Sequence, residues 1–142
     1  MPISDLMTQA VETIAPEATL QEAAQRMRAA TIGALPVREG NHLVGILTER
    51  DLVARAVAEG LDPKTARVRE VMTPDLITCY ADQDITEASR LMRERQIRHL
   101  VVVDRDHRPV GMMSLRDVPM PERVDALTEG SMLTGTAIRW PI

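Results

Sequence analysis

The chain has 142 residues, with 17 Lys and Arg against 21 Asp and Glu, one Cys, one Tyr, one Trp and no Phe. That length suffices for one ordinary domain or two small units sharing a core, and its mildly acidic, sign-alternating charge offers no face for a polyanion. Scarce aromatics leave little to stack nucleic-acid bases, and no basic-then-apolar leader or run near the ~18 apolar residues of a spanning helix is present, so the sequence predicts a soluble, cytoplasmic protein with no nucleic-acid or membrane partner. In chain order, Thr19-Leu20-Gln21-Glu22 has the form of a capping box and predicts a helix start. Leu20, Ala23, Ala24, Met27 and Ala30 then form an apolar stripe at helical spacing. Two apolar runs follow, Ala34 to Val37 and Leu43 to Leu47, around the polar tip Arg38-Glu39-Gly40-Asn41-His42, which reads as strand, turn, strand. After Thr48 a further helix carrying Leu52, Val53, Ala56 and Val57 is expected to stop at Gly60.

The rest of the chain says most of this again. Met72-Thr73 repeats Met7-Thr8, Met92-Arg93 repeats Met27-Arg28, and Ile97-Arg98-His99-Leu100-Val101-Val102 repeats Ile32-Gly33-Ala34-Leu35-Pro36-Val37. Asp84 with Glu87 forms the second expected capping box, ahead of a stripe of Ile85, Ala88 and Met92. Leu100 to Val103 and Val110 to Met113 form the second strand pair around Asp104 to Arg108. Here the closing helix is cut short, because Pro119 and Pro121 remove amide donors where it would continue. The resulting division is repeat 1 at 1–60, a linker at 61–67, repeat 2 at 68–120 and a tail at 121–142. Residues 122 to 128 read as a short helix, and 130 to 142, with Trp140, have no period. Two copies argue for a closed pair of units, each unable to bury its apolar face alone, and not for a solenoid.

In both copies a hydroxyl and a carboxylate stand three apart where a strand runs into a helix, Thr48 with Asp51 and Ser114 with Asp117. The spacing is that of a capping box with an acid in the first helical turn. It also suits a ligand, because a carboxylate accepts bonds from both hydroxyls of a ribose and a neighbouring Ser or Thr can join it. The spacing supports both readings. Cys79, in an apolar run, excludes an intramolecular disulfide, fits a reducing interior and reads as a buried structural thiol. His42 and His107 fall at turn tips, where a solvated imidazole is expected. Three His and one Cys at unrelated spacings show no metal site. No nucleophile–base arrangement, Walker loop or Rossmann fingerprint is present, so no enzymatic activity is expected.

The repeated Gly-h-h-Thr/Ser-x-x-Asp (h, apolar), the Met-Thr before each copy and the Ile-Gly-Ala-Leu-Pro-Val and Ile-Arg-His-Leu-Val-Val segments resemble a tandem pair of cystathionine-β-synthase-type (CBS) domains, over roughly residues 3 to 118. The overall form is similar to short stand-alone bacterial CBS-pair proteins. The resemblance implies an α+β fold of two β-α-β-β-α repeats packed as a pseudo-twofold pair, with clefts between them that take adenosine-containing ligands: AMP, ADP, ATP, S-adenosylmethionine or dinucleotides. No required cofactor is implied. Asp51 and Asp117 would hold ribose hydroxyls, with Thr48 and Ser114 assisting. Thr13 and Thr78, on the first strand of each copy, would meet the adenine edge, and Ile14, Ile46 and Met112 its faces. Arg98 and His99 would meet phosphates. The first copy has Gly33-Ala34 there, so unequal clefts are implied. Arg50 and Arg116, next to the two Asp residues, read as solvated or ion-paired ahead of the alternative of phosphate ligands, with Arg116 kept among the ligand-binding candidates. The family implies a homodimer, with Leu52, Val53, Ala56, Val57, Leu91 and Val118 as candidate contacts, and signalling to a protein partner not identified by the sequence. The competing expectation is a dimeric interaction scaffold without a ligand, in which the Thr/Ser and Asp residues only cap helices.

Overall fold

A computed structural model of the chain describes residues 1 to 119 except Ala10 and Asp75. The expectations for 122 to 128 and for Trp140 lie outside the described residues. The fold is α+β. Helix α1 (Leu20–Ala30) starts where Thr19 caps it, the hydroxyl accepting from the Glu22 amide at 3.2 Å. Among the described residues the reciprocal bond from Glu22 is not made, so the expected box is half formed. The stripe is narrower than the sequence suggests: Leu20, Ala23 and Met27 are buried, whereas Ala24 and Ala30 face solvent. Its counterpart α4 (Ile85–Arg95) buries Ile85, Ala88, Ser89 and Met92. There the Asp84 cap accepts from the Thr86 amide, and Glu87 instead accepts from the Gln83 side-chain amide at 2.6 Å. Both helices end on a non-glycine residue in the left-handed region, Thr31 (φ 56°) and Gln96 (φ 55°). Each of those amides closes the last turn onto carbonyls three and four residues back.

Strands β1 (Ala34–Glu39) and β2 (His42–Thr48) form the first antiparallel hairpin, and β4 (His99–Val103) and β5 (Pro109–Ser114) the second. β3 (Thr78–Tyr80) runs parallel to β4. In the first copy the equivalent leading strand is reduced to Ile14 bridged to Val37. After β2 a short α2 (Glu49–Asp51) widens into a π-helical turn over Leu52–Val57, with the Ala58 amide bonded to the Val53 carbonyl five residues back at 3.0 Å. This turns Ala56 into the core and leaves Val53 and Val57 49% and 73% exposed. The peptide chain then reverses at Gly60, whose φ of +70° suits a residue without Cβ. In the second copy only a single 3-10 turn, Leu115–Asp117, follows β5 before Val118 extends toward Pro119. α3 (Val68–Val71) follows the linker.

The compact units do not follow the sequence repeats. Among the described residues, one unit is Glu12–Leu76 and the other joins Met1–Val11 to residues 77–119. The cause is a pair of matching β-bridges. The segment leading into repeat 2 lies on the first hairpin, Thr73 paired with Ile46, and the segment leading into repeat 1 lies on the second, Thr8 paired with Met112. In the first unit, Leu20, Leu35, Val37 and Leu47 pack with Val68 and Val71 from that added segment. In the second, Ile3 packs with Cys79, Ile85, Leu100, Val102 and Met113.

The same segments explain the glycine of the repeated motif. A Cβ on Gly45 would lie 2.6 Å from the Thr73 carbonyl oxygen, and one on Gly111 would lie 2.9 Å from that of Thr8. Burial raises the Cys79 thiol to about 11, and Cys79 is only 5% exposed. Native protein at pH 8 is therefore expected to react with a thiol reagent at least about 100-fold more slowly than urea-unfolded protein, as read by absorbance of the released chromophore.

Candidate ligand-binding site

Each hairpin has two faces. In the second unit, Leu100, Val102 and Met113 point into the core. The other face carries His99 beside Ser114, and Thr78 beside Val101 beside Met112, all in register across β3, β4 and β5. In the first unit, Leu35, Val37 and Leu47 take the core. The opposite face carries Ala34 beside Thr48 and Pro36 beside Ile46. Strand alternation assigns the neighbouring candidates. Ile14 pairs with Val37, so its side chain joins the core at 2% exposure and is not available to a base. The carbonyl of the preceding Thr13 accepts from the Arg26 guanidinium. Ile46 and Thr48 thus share one face of the first hairpin, and Thr78, His99, Met112 and Ser114 one face of the second unit's sheet, whereas Ile14 belongs to the core.

Both carboxylates lie at the end of this face, where the strand becomes a helical turn. The Thr48 amide donates to Asp51 Oδ2 at 2.9 Å and the Asp51 amide donates to Thr48 Oγ1 at 3.1 Å, a complete capping box. In the second unit the Ser114 amide donates to Asp117 Oδ2 at 2.9 Å. The turns are anchored alike: Glu49 donates its amide to the Gly33 carbonyl at 3.0 Å and Leu115 to the Arg98 carbonyl at 2.9 Å. Gly33 and Arg98 therefore hold equivalent backbone positions, and only the second unit adds a guanidinium there.

Two further groups meet Asp51. The Thr73 hydroxyl donates to Oδ1 at 3.1 Å, and Arg55 Nε lies 3.9 Å from the same oxygen. Arg55 also donates to the Met72 carbonyl at 3.2 Å. Sequence reasoning missed both as site residues. The repeated Met-Thr pair and the i, i+4 spacing of Asp51 and Arg55 were the available signals. Asp51 is buried, 7% exposed, whereas Asp117 is half-buried.

His99 departs from its expected role as half of a basic pair. Burial, with Arg116 and Arg98 adding repulsion against only the Asp117 carboxylate, pushes its imidazole down to about 4. It is neutral at pH 7, a hydrogen-bonding group and not a cation. The positive charge on this side of the unit comes from Arg98 and Arg116.

A family model for the CBS domain matches residues 3–58 and again 68–118. The chain belongs to the CBS-domain family. The CBS domain-containing protein YhcV of Bacillus subtilis is 39% identical over 132 residues, 93% of this chain and 92% of that protein. Hypoxic response protein 1 of Mycobacterium tuberculosis is 37% identical over 115 residues, covering 80% of each. Among solved structures, the CBS domain protein PAE2072 from Pyrobaculum aerophilum complexed with AMP superposes with a TM-score of 0.76 at 28% identity, over 92% of this chain and 99% of that one. The CBS domain pair of MJ0100 in complex with 5'-methylthioadenosine and S-adenosyl-L-methionine gives a TM-score of 0.75 at 26% identity, over 92% and 97%. Among the described residues of this CBS-domain protein, no helix is long and apolar enough to cross a membrane.

Proposed function

We propose that this chain is a regulatory CBS-pair protein, not an enzyme, that binds an adenosine-containing ligand and passes its state on by conformational change or association. The ligand class is AMP, ADP, ATP, S-adenosylmethionine or a dinucleotide, taken as a signal and not as a required cofactor. The observation that carries this reading is the repeated carboxylate, Asp51 and Asp117, each with Oδ2 held by a backbone amide at the end of a strand. A carboxylate fixed in this way has its other oxygen aimed in a defined direction, toward a diol at Asp117, whereas at Asp51 that oxygen also accepts from the Thr73 hydroxyl. Thr78 and Met112 on the adjacent sheet face offer a polar edge and an apolar surface to the base, and Arg98 and Arg116 offer charge to a phosphate. PAE2072 with AMP and MJ0100 with S-adenosyl-L-methionine support the class.

The test is thermal unfolding with AMP, ADP, ATP, S-adenosylmethionine and NADH, each at about 1 mM. A ligand at about 100 times its Kd adds roughly 2.7 kcal/mol, a rise on the order of 5 to 10 °C for this length. Asp117→Ala is expected to weaken the responding ligand by about 10- to 100-fold in titration calorimetry, the worth of hydrogen bonds to a charged group. The complete Thr48–Asp51 box favours one other reading, a ligand-free scaffold in which these residues only cap. That reading predicts that Asp117→Ala costs about 1 kcal/mol and that no nucleotide shifts the midpoint.

We also propose a cytoplasmic homodimer that signals to a further protein. Of the contact candidates, Val53 and Val57 are exposed, whereas Ala56 and Val118 are buried in their own units and are withdrawn as contacts. Leu52 and Leu91 are partly buried against the two cores. Light scattering at micromolar concentration is expected to give twice the chain mass, and a monomer would remove the dimer.

A further inference from the structure

The two carboxylates have different surroundings within their own units. Asp51 has both oxygens engaged, Oδ2 by the Thr48 amide and Oδ1 by the Thr73 hydroxyl at 3.1 Å, with Arg55 Nε 3.9 Å from Oδ1. Thr73 is itself fixed, because its amide and carbonyl both bond Ile46 at 2.9 Å. The second unit repeats the backbone half of this arrangement. Thr8 bonds Met112 through its own amide and carbonyl, at 2.9 and 3.0 Å, and occupies the position of Thr73. It does not repeat the side-chain half. Thr8 is exposed. Among the described residues, Asp117 receives the Ser114 amide on Oδ2, with no hydroxyl donor to match Thr73.

We infer that Thr73 is a positioning residue that closes Asp51 by occupying its Oδ1, and that Asp117 is the carboxylate that accepts the ligand. Asp51 then ties the segment leading into repeat 2 to the first hairpin. A ribose approaching it meets a buried carboxylate, 7% exposed, whose Oδ1 already gives one acceptor site to the Thr73 hydroxyl and is flanked by that side chain, while at the half-buried Asp117 the diol meets an Oδ1 with no such neighbour among the described residues. Charge is placed differently in the two units, since Arg55 in the first is turned onto Asp51 Oδ1 and the Met72 carbonyl. Beside Asp117 stand Arg98 and Arg116, whose fields are felt at His99; the position of Arg98 is held by Gly33 in the first unit. The Asp117 site therefore suits a phosphate-bearing adenosine.

This inference rests on the ligand-binding reading above, and calorimetric titration of the full chain, separately with AMP, ADP, ATP, S-adenosylmethionine and NADH, distinguishes the two. The wild-type chain is expected to bind one equivalent of at least one probe, and Asp117→Asn to lose at least tenfold in affinity with no second site remaining. Thr73→Ala, which removes the hydroxyl and opens space at Oδ1, is expected to show a second, weaker binding event. Thr73→Ser, which keeps the hydroxyl, is expected to retain a single one. A merely structural Thr73 would change stability in both variants and add no site in either. Two equivalents in wild type, a site surviving in Asp117→Asn, or one event in Thr73→Ala would overturn the inference and leave the ligand reading standing. No binding of AMP, ADP, ATP, S-adenosylmethionine or NADH to wild type or to Thr73→Ala would overturn both.

Discussion

Alanine at position 45 is expected to lower the stability of the protein by about 3 kcal/mol, the upper part of the range for forcing extra volume into a packed interior. The added Cβ would meet the Thr73 carbonyl oxygen at 2.6 Å, the Met72 sulfur at 3.2 Å and the Pro74 Cα at 3.4 Å. The first of these contacts cannot relax cheaply. That carbonyl accepts from the Ile46 amide at 2.9 Å, the Thr73 amide donates back to Ile46 at 2.9 Å, and the Thr73 hydroxyl holds Asp51. Moving Thr73 strains all three bonds at once. The matched substitution Gly111→Ala is expected to cost less, about 1 to 2 kcal/mol. Its closest clash, 2.5 Å, is with the Met7 sulfur, the flexible end of a side chain, and the Thr8 carbonyl lies at 2.9 Å. Urea unfolding of both variants measures the difference, and equal costs below about 0.5 kcal/mol, the scale of an ordinary surface substitution, would show that the bridges do not pin the lead-in segments.

Acidification is expected to destabilise the protein through His99, whose folded value of about 4 lies below the ordinary 6.5. The unfolded chain takes up a proton near pH 6.5 while the native imidazole stays neutral. Stability is therefore undiminished above pH 6.5 and falls as pH drops toward 4, below which both states carry the proton. At 1.36 kcal/mol for each pH unit, the loss amounts to roughly 2 kcal/mol between pH 7 and pH 5 and roughly 3 kcal/mol by pH 4. His99→Gln removes this contribution without adding a charge. Urea denaturation at pH 7 and pH 5 is expected to show the wild type losing about 2 kcal/mol more than the variant. Equal losses would mean that His99 titrates alike in both states, and that neither burial nor Arg116 and Arg98 disfavour its charged form.

Much of this protein was readable along the chain because its governing interactions are local. The caps at Thr19 and Asp84, the two hairpins around polar tips, the stop at Gly60 and the shortened turn before Pro119 depend on residues within a few positions of one another. Internal repetition supplied what local patterns lack, since the same unit met twice marks Asp51 and Asp117 as equivalent before any contact is known. Helical spacing overestimated the buried stripe at Ala24 and Ala30, because period alone cannot say how wide a face the neighbouring strands cover. Ile14 was misplaced by a different limit. Its apolar side chain suits either a core or a ligand face, and its pairing with Val37 chose the core.

What lay beyond sequence reasoning is long-range. No periodicity shows that Met1–Val11 packs with the second repeat and that the segment around Thr73 packs with the first, because those contacts join residues far apart in the chain. The need for glycine at 45 and 111, the closure of Asp51 by Thr73 and the neutral His99 all follow from that packing. Composition and repetition specified the α+β units and the recurring hydroxyl–carboxylate pair, since these rest on local backbone preference and on like sequences folding alike. Tertiary contact made the two carboxylates unequal, because Thr73 reaches Asp51 across 22 positions of the chain while its counterpart Thr8 remains exposed.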